Sequence, residues 1–275
     1  MSDRKFSPGW HQAPQHFNLP KYDPKFPSEK IMPVVDLRPF ASPVMNQGNT
    51  ACGVACAYVG VLEWIQIKKA RGRVPLVPLS VLYAYMLVRK AEGTWPTDSG
   101  ASIIELAKVL KTGICTDKTW PFKEEEIDKN PPNIITCAAE AKGRKFSEQV
   151  FAIRTPQDAF VCLAEGYPVV GGLGIYSSWP GILKNPDDLS GKITTPKKED
   201  EFLGGHAVGF YGYNRLDKDM TSPTMKDEVI PARTIIGKNS WGTGWGKDGW
   251  FFLPFDYFNG PDFTGEFVQI KREEV

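Results

Sequence analysis

No apolar stretch in the 275-residue sequence reaches the ~18 residues that a membrane span requires; the longest candidate, Gly53 to Ile67, is broken by Glu63. A surplus of one charge is lacking too. With 33 basic and 32 acidic side chains the net charge is +1. A nucleic-acid binder needs a basic excess to neutralise phosphates, so that class of partner is excluded. The N-terminus, Met1-Ser-Asp-Arg-Lys-Phe-Ser-Pro, has no apolar core and no small-residue cleavage site. No secretory signal is read there, and a cytoplasmic location is expected. Histidine is scarce, present only as His11, His16 and His206. The cysteines, Cys52, Cys56, Cys115, Cys137 and Cys162, form no C-x-x-C pair and no zinc-type cluster with histidine, so neither metal nor cofactor is expected. An odd count leaves at least one thiol unpaired within the chain. No structural disulfide is expected, and Cys56, Cys137 and Cys162 read as small buried apolar residues.

What is present is globular: 41% hydrophobic and 24% charged residues, with 26 glycines, 23 prolines and 8 tryptophans that mark a loop-rich fold. Residues 1–33, rich in Pro, Lys and aromatics without a period, read as an extended arm laid on the body formed by residues 34–275. Apolar side chains at Val54, Ala55, Tyr58, Val61, Leu62 and Ile65 predict a helix over 53–70. A second is predicted from Ser80 to about Ala91. A third starts at Ser102, where Ser102-x-x-Glu105 forms a capping box, and stops at Gly113. A fourth has Thr155 as N-cap, Pro156 at its first position and its end at Gly166. The second half changes grammar. Val150–Arg154, Pro168–Ile175, His206–Tyr213, Thr234–Lys238, Trp250–Leu253 and Phe267–Lys271 are short β-prone runs separated by Gly and Pro. Helices dominate the first half and strands the second, which predicts an α+β fold of two lobes. The polar runs Lys123–Lys129 and Lys197–Glu201 read as solvated loops.

Three stretches carry the chemistry: Pro43-Val-Met-Asn-Gln-Gly-Asn-Thr-Ala-Cys-Gly-Val-Ala, Gly204-Gly-His-Ala-Val-Gly-Phe-Tyr-Gly-Tyr, and Gly237-Lys-Asn-Ser-Trp-Gly-Thr-Gly-Trp-Gly-Lys-Asp-Gly-Trp. Taken singly, the first is a turn before a helix, the second a strand with a structural histidine, and the third a packed loop. Together they resemble the papain family of cysteine peptidases. Asn46-Gln47-Gly48 is similar to the segment ahead of that family's nucleophile, Gly205-His206-Ala207-Val208 to its histidine strand, and Asn239-Ser240-Trp241-Gly242 to its asparagine segment. Weaker matches are Val35-Asp36-Leu37-Arg38 at the start of the domain, Gly113-Ile114-Cys115-Thr116 with Trp120-Pro121-Phe122, and Gly166-Tyr167-Pro168-Val169. The likeness runs over roughly residues 34–255 and is nearest the microbial branch, which lacks the disulfides of secreted members.

The resemblance implies a papain-like two-lobe fold with the cleft between the lobes, helical over about 45–141 and an antiparallel β-barrel over about 142–275. It implies Gln47 as oxyanion donor, His206 as general acid/base and Asn239 as the residue that orients the imidazole. Trp241 would cover the His206–Asn239 bond. The chemistry explains the residue types. A cysteine at a helix N-terminus is held as thiolate by the dipole and an adjacent imidazolium. An amide carbonyl fixes the imidazole tautomer, and a side-chain amide with a backbone N–H holds the developing oxyanion.

The nucleophile itself is missing. In the family it lies six residues beyond the glutamine, ten before a helix glutamate and two before an alanine; counted from Gln47, Glu63 and Ala55, all three registers fall on Gly53. Three readings stand open. The chain is a natural pseudo-peptidase that keeps the cleft to bind a peptide, or an inactivated form of a working peptidase, or a neighbouring thiol serves instead. Cys52 serves only if the register slips by one, which re-aims a helical side chain by about 100°. Cys56 lies about a turn inside the helix, where burial raises a thiol pKa.

Acyl transfer from a peptide or amide, by hydrolysis or to an amine, is the enzymatic reading, with an extended peptide or protein as partner. Capture of a peptide in a silent cleft is the binding reading. Gly100 resembles the family's glycine that pairs with substrate backbone. Gly204 and Gly205 give access to the His206 ring, and Ala207 with Gly204 is expected to line an open pocket for a bulky apolar side chain. Either the arm covers the cleft or no zymogen stage exists. The long connection between His206 and Asn239 predicts a surface hairpin around Leu216–Pro231 near the cleft.

Overall fold

The computed structural model describes residues 9–12, 19–71, 73–143, 148–182, 187–259 and 265–272. Helix α1 (Gly53–Ala70) runs through the middle of the molecule and buries every residue from Gly53 to Ile65. A helix apolar on all sides is a core helix, so its weak amphipathicity follows from where it lies. Against it pack α2 (Val81–Glu92), capped by the Ser80 side chain, and α3 (Ile103–Val109). The Ser102-x-x-Glu105 box forms only by half. Ser102 Oγ accepts from Glu105 N at 3.2 Å, but the Ser102 N–H goes to Glu92 of α2 at 2.8 Å, and Glu105 pairs with Lys108. Tertiary packing has claimed the second half of the cap. A single turn of 3-10 helix, Leu110–Thr112, continues α3 to Gly113. Helix α4 (Ile134–Gly143) follows, an element the sequence reading does not assign.

The second lobe is a seven-stranded antiparallel sheet with α5 (Pro156–Ala164) packed on it. Its strands are β1 (Val34–Asp36), β2 (Glu148–Ile153), β3 (Val169–Tyr176), β4 (Phe202–Asn214), β7 (Thr234–Lys238), β8 (Trp250–Pro254) and β9 (Phe267–Arg272), in the order β2-β9-β3-β4-β7-β8 with β1 on β4. The small pair β5 (Met220–Thr221) and β6 (Val229–Ile230) forms the expected hairpin between His206 and Asn239. Its anchors include Asp36, Lys247 and Asn214, whose Nδ2 donates to Ile230 O at 3.0 Å. Ser222 Oγ donates to Asp36 at 2.6 Å, and Lys247 Nζ to Glu228 at 2.6 Å.

The lobes meet where α1 packs on β4, with Ala207 and Tyr211 of β4 sharing one apolar core with α1. A second core of Phe160, Leu173, Val208, Phe210, Tyr213 and Phe251 fills the strand lobe. No described helix is long and apolar enough to cross a membrane. All five cysteines are free and buried. The arm lies on the body where it is described: Tyr22 N donates to Ala152 O of β2 at 3.0 Å, and Arg215 N to Pro33 O at 2.9 Å.

Candidate active site

The strand register assembles the site. Gly209 of β4 faces Lys238 of β7, so the chain just before Gly209 lies beside the chain just after Lys238, and His206 meets Asn239. His206 Nε2 is 2.8 Å from Asn239 Oδ1. With the carbonyl as acceptor, the Nε2–H tautomer is fixed and Nδ1 becomes the reactive nitrogen. Trp241 lies over this pair, its ring centroid 5.1 Å from that of His206 and tilted by 31°. Trp179 and Trp245 back Trp241 in turn.

Gly53 opens α1 directly opposite. A Cβ placed on Gly53 would stand 2.8 Å from His206 Nδ1, 2.7 Å from Cε1 and 3.3 Å from Gln47 Oε1. Gly53, His206, Asn239, Gln47 and Trp241 are thus brought to one point of the cleft, and the residue aimed at the imidazole carries no side chain. The thiols beside it face elsewhere. Cys52 is fully buried, with its Sγ 3.0 Å from Thr50 Oγ1 and 3.7 Å from Cys56 Sγ. The Cys56 thiol is pushed well above its ordinary pKa, first by the neighbouring Cys52 and then by burial. Burial also holds His206 down at about 4, partly offset by the Asn239 bond, so the imidazole is neutral near pH 7.

Gln47 sits at the expected place with the opposite face forward. Its Nε2 donates to Thr50 O at 2.7 Å, while Oε1 accepts from Ser240 Oγ at 2.5 Å and points toward residue 53. Serving as an oxyanion donor requires the amide to turn over and release Thr50.

Three residues that the sequence reading passes over shape this site. Asp98 accepts twice from Ala51 N, at 3.0 and 3.1 Å, and once from Tyr85 OH at 2.7 Å. Tyr85 OH accepts from Gly100 N at 2.9 Å, and the Arg89 guanidinium lies 3.8 Å from the Tyr85 ring. This chain of contacts ties the residues just before α1 to the Gly100 turn within the helical lobe. Glu124, in a run expected to be only solvated, accepts from Asn49 N at 3.0 Å. Trp10 is the third. Gly9 N and Trp10 N both reach Gly205 O, at 2.9 and 3.1 Å, and Ala101 N donates to Gly9 O at 3.1 Å. The arm therefore lies between Gly205 on one lobe and Gly100–Ala101 on the other, pairing with Ala101 as a parallel bridge. Gly100 adopts φ +75, and a Cβ there would come within 2.9 Å of Gly9 C. The Trp10 ring rests on Gly205 and Gly172.

A model of the papain family of cysteine proteases matches residues 33–256. The chain belongs to the papain family. An uncharacterized peptidase C1-like protein of Acanthamoeba polyphaga mimivirus is 28% identical, over 87% of this chain and 74% of that one. Xylellain, a cysteine protease from Xylella fastidiosa, is 28% identical in its crystal structure, with a TM-score of 0.78 over 100% of this chain and 99% of that one. Procathepsin B S9 from Trypanosoma congolense, 16% identical with a TM-score of 0.66 over 98% and 88% of the two chains, shares the fold. The scaffold is that of a papain-like cysteine peptidase, with two lobes and a cleft between them.

Proposed function

We propose that this chain binds extended peptides in the inter-lobe cleft without hydrolysing them, its peptidase chemistry interrupted at residue 53 alone. The observation that carries this is the aim of Gly53. The N-terminus of α1, the Nδ1 edge of His206 and the Gln47 amide converge on a position with no side chain, while Cys52 and Cys56 turn into the core. A glycine cannot attack a carbonyl, and removal of a triad nucleophile costs on the order of 10⁶ in kcat in a serine protease. The parallel-bridged arm supports the binding half of the reading, since Gly9 and Trp10 lie in the cleft as an extended chain held by backbone hydrogen bonds to both lobes. An inactivated peptidase and a natural peptide-binding module share this chemistry. The deciding experiment is calorimetric titration of the chain with peptides, run beside a peptidase assay. Saturable binding with no turnover is expected; turnover sensitive to thiol alkylation would overturn the reading.

A further inference from the structure

Two thiols stand side by side, one turn apart, at the start of α1. Cys52 is the residue that precedes the helix and Cys56 lies four residues on, and their sulfurs are 3.7 Å apart. The spacing Cys52-x-x-x-Cys56 falls outside the C-x-x-C pattern, and it is the turn of the helix that makes the pair. Cys56 borders two cavities. One, of about 280 Å³, is walled by Met45, Leu76, Leu79, Val81 and Phe122 and has Cys56 in its lining. The other is a void of about 10 Å³, room for about one water-sized sphere, bordered by Met45, Cys56, Gly60, Tyr211 and Lys238. Met45 lines both cavities and packs on the core that holds the two thiols. Its thioether is a third sulfur at this end of the helix, on an unbranched side chain that adapts to its surroundings. Lys238 Nζ donates to Ser42 O at 2.6 Å and to Ser42 Oγ at 3.1 Å, which pins an ammonium beside the small void.

We propose that Cys52, Cys56 and Met45 form a binding site for a monovalent copper ion, set in the core behind the N-terminus of α1. The site does not depend on the peptide reading of the cleft. Two thiolates on one ion, at metal–sulfur lengths of about 2.3 Å and angles of about 110–120°, stand about 3.8–4.0 Å apart. The pair at 3.7 Å has to open only slightly to reach that span. Thiolate and thioether are soft donors, and a set made of sulfur alone selects Cu(I) over harder divalent ions. Among the described residues no three or more His, Cys, Asp and Glu side chains come together to hold a metal, which leaves zinc without the four-ligand cage of its structural sites. Binding is an exchange of protons with no change of oxidation state. Cu(I) and two thiols give a dithiolate–copper group of charge −1, and two protons leave to solvent. Two features offset the buried negative charge. The first turn of α1 presents the positive end of its dipole, and the Lys238 ammonium borders the same void as Cys56. The cavity of about 280 Å³ gives an ion a way to the Cys56 sulfur that the packed core around Cys52 does not.

The test titrates the full chain, reduced and free of oxygen, with Cu(I) supplied as its acetonitrile complex against bicinchoninate as competing chelator. Uptake of one copper per chain is expected, with a sulfur-to-copper charge-transfer band in the ultraviolet. X-ray absorption of the loaded native chain should show sulfur neighbours only. Cys52→Ser and Cys56→Ser should each weaken binding by at least about 100-fold, and Met45→Leu, which keeps the volume of the side chain, by about tenfold. Cys115→Ser and Cys162→Ser, at buried thiols elsewhere, should leave the affinity within about twofold. Failure of the native chain to take copper from the chelator overturns the site, as do nitrogen or oxygen neighbours on the bound ion, and neither result needs a variant to fold. Copper affinity that survives Cys56→Ser, or that is lost with Cys115→Ser, overturns it as well.

Discussion

The His206 ring stands 2.7 Å from where a Cβ on Gly53 would lie, closer than real Cβ contacts come. The imidazole has settled into room that a side chain at residue 53 would claim. The consequence is electrostatic as well as steric. With no thiolate opposite, burial outweighs the Asn239 bond, and His206 is neutral.

That neutrality sets a pH dependence. The folded-state pKa of about 4 lies below the ordinary 6.5, so between these values the unfolded chain binds the proton and the folded chain does not. The contribution of His206 to stability is complete above pH 6.5 and falls as pH drops toward 4, by about 3 kcal/mol in all. Urea unfolding midpoints measured across this window should drop for the native chain, and the drop should shrink in His206→Gln. An equal drop in both would reassign the effect to other groups.

Asp98 predicts a graded effect on the loop that carries Gln47. Asp98→Ala leaves Ala51 N and Tyr85 OH without their acceptor. A loss of about 2–4 kcal/mol is expected by denaturant titration, and Asp98→Asn should lose less than about half as much because its carbonyl still accepts. Equal losses in the two variants would show that the hydrogen bonds are not what matters at this residue.

On the proposed reading, the arm occupies the place that a peptide would take in the cleft. Trp10→Ala removes the indole from the Gly172–Gly205 slot while Gly9 keeps its backbone contacts. Peptide affinity should rise by about tenfold or more, the scale expected for losing a half-buried aromatic anchor. The same experiment with an unchanged dissociation constant would mean that peptides bind elsewhere.

Six of the seven strands of the second lobe were legible as short β-prone runs separated by Gly and Pro, and Thr234–Lys238 coincides with its strand end to end, whereas β1, three residues long, was too short to show a pattern. Helix α4 was not, since it begins after two prolines and carries Ile134 and Ile135 exposed, at 47% and 79%, which blurs any apolar face. Its one local sign was Asn133, whose Oδ1 accepts from Thr136 N as an N-cap. The residues that converge on the cleft could be read because they sit in three stretches that together resemble the papain family, although each alone reads as a structural feature. Asp98 and Glu124 could not, being single acidic residues that gain a role only when folding brings a distant backbone N–H to them. Gly100 reads from the sequence as a substrate-pairing residue, but its φ of +75 means that Gly100→Val strains the backbone as well as the cleft, so that substitution cannot separate binding from stability.

The most direct measurement is peptide hydrolysis by the full chain carrying Gly53→Cys, with Trp10→Ala to open the cleft. The new side chain must push the imidazole back by a few tenths of an ångström, which places its sulfur against Nδ1 at the N-terminus of α1. The account predicts that hydrolysis appears, rising by at least about 10³ over the same chain with glycine, and that alkylation of the introduced thiol or His206→Ala abolishes it, while Cys52→Ala leaves it intact. Hydrolysis already present with glycine at residue 53, and lost on Cys52→Ala, would contradict it.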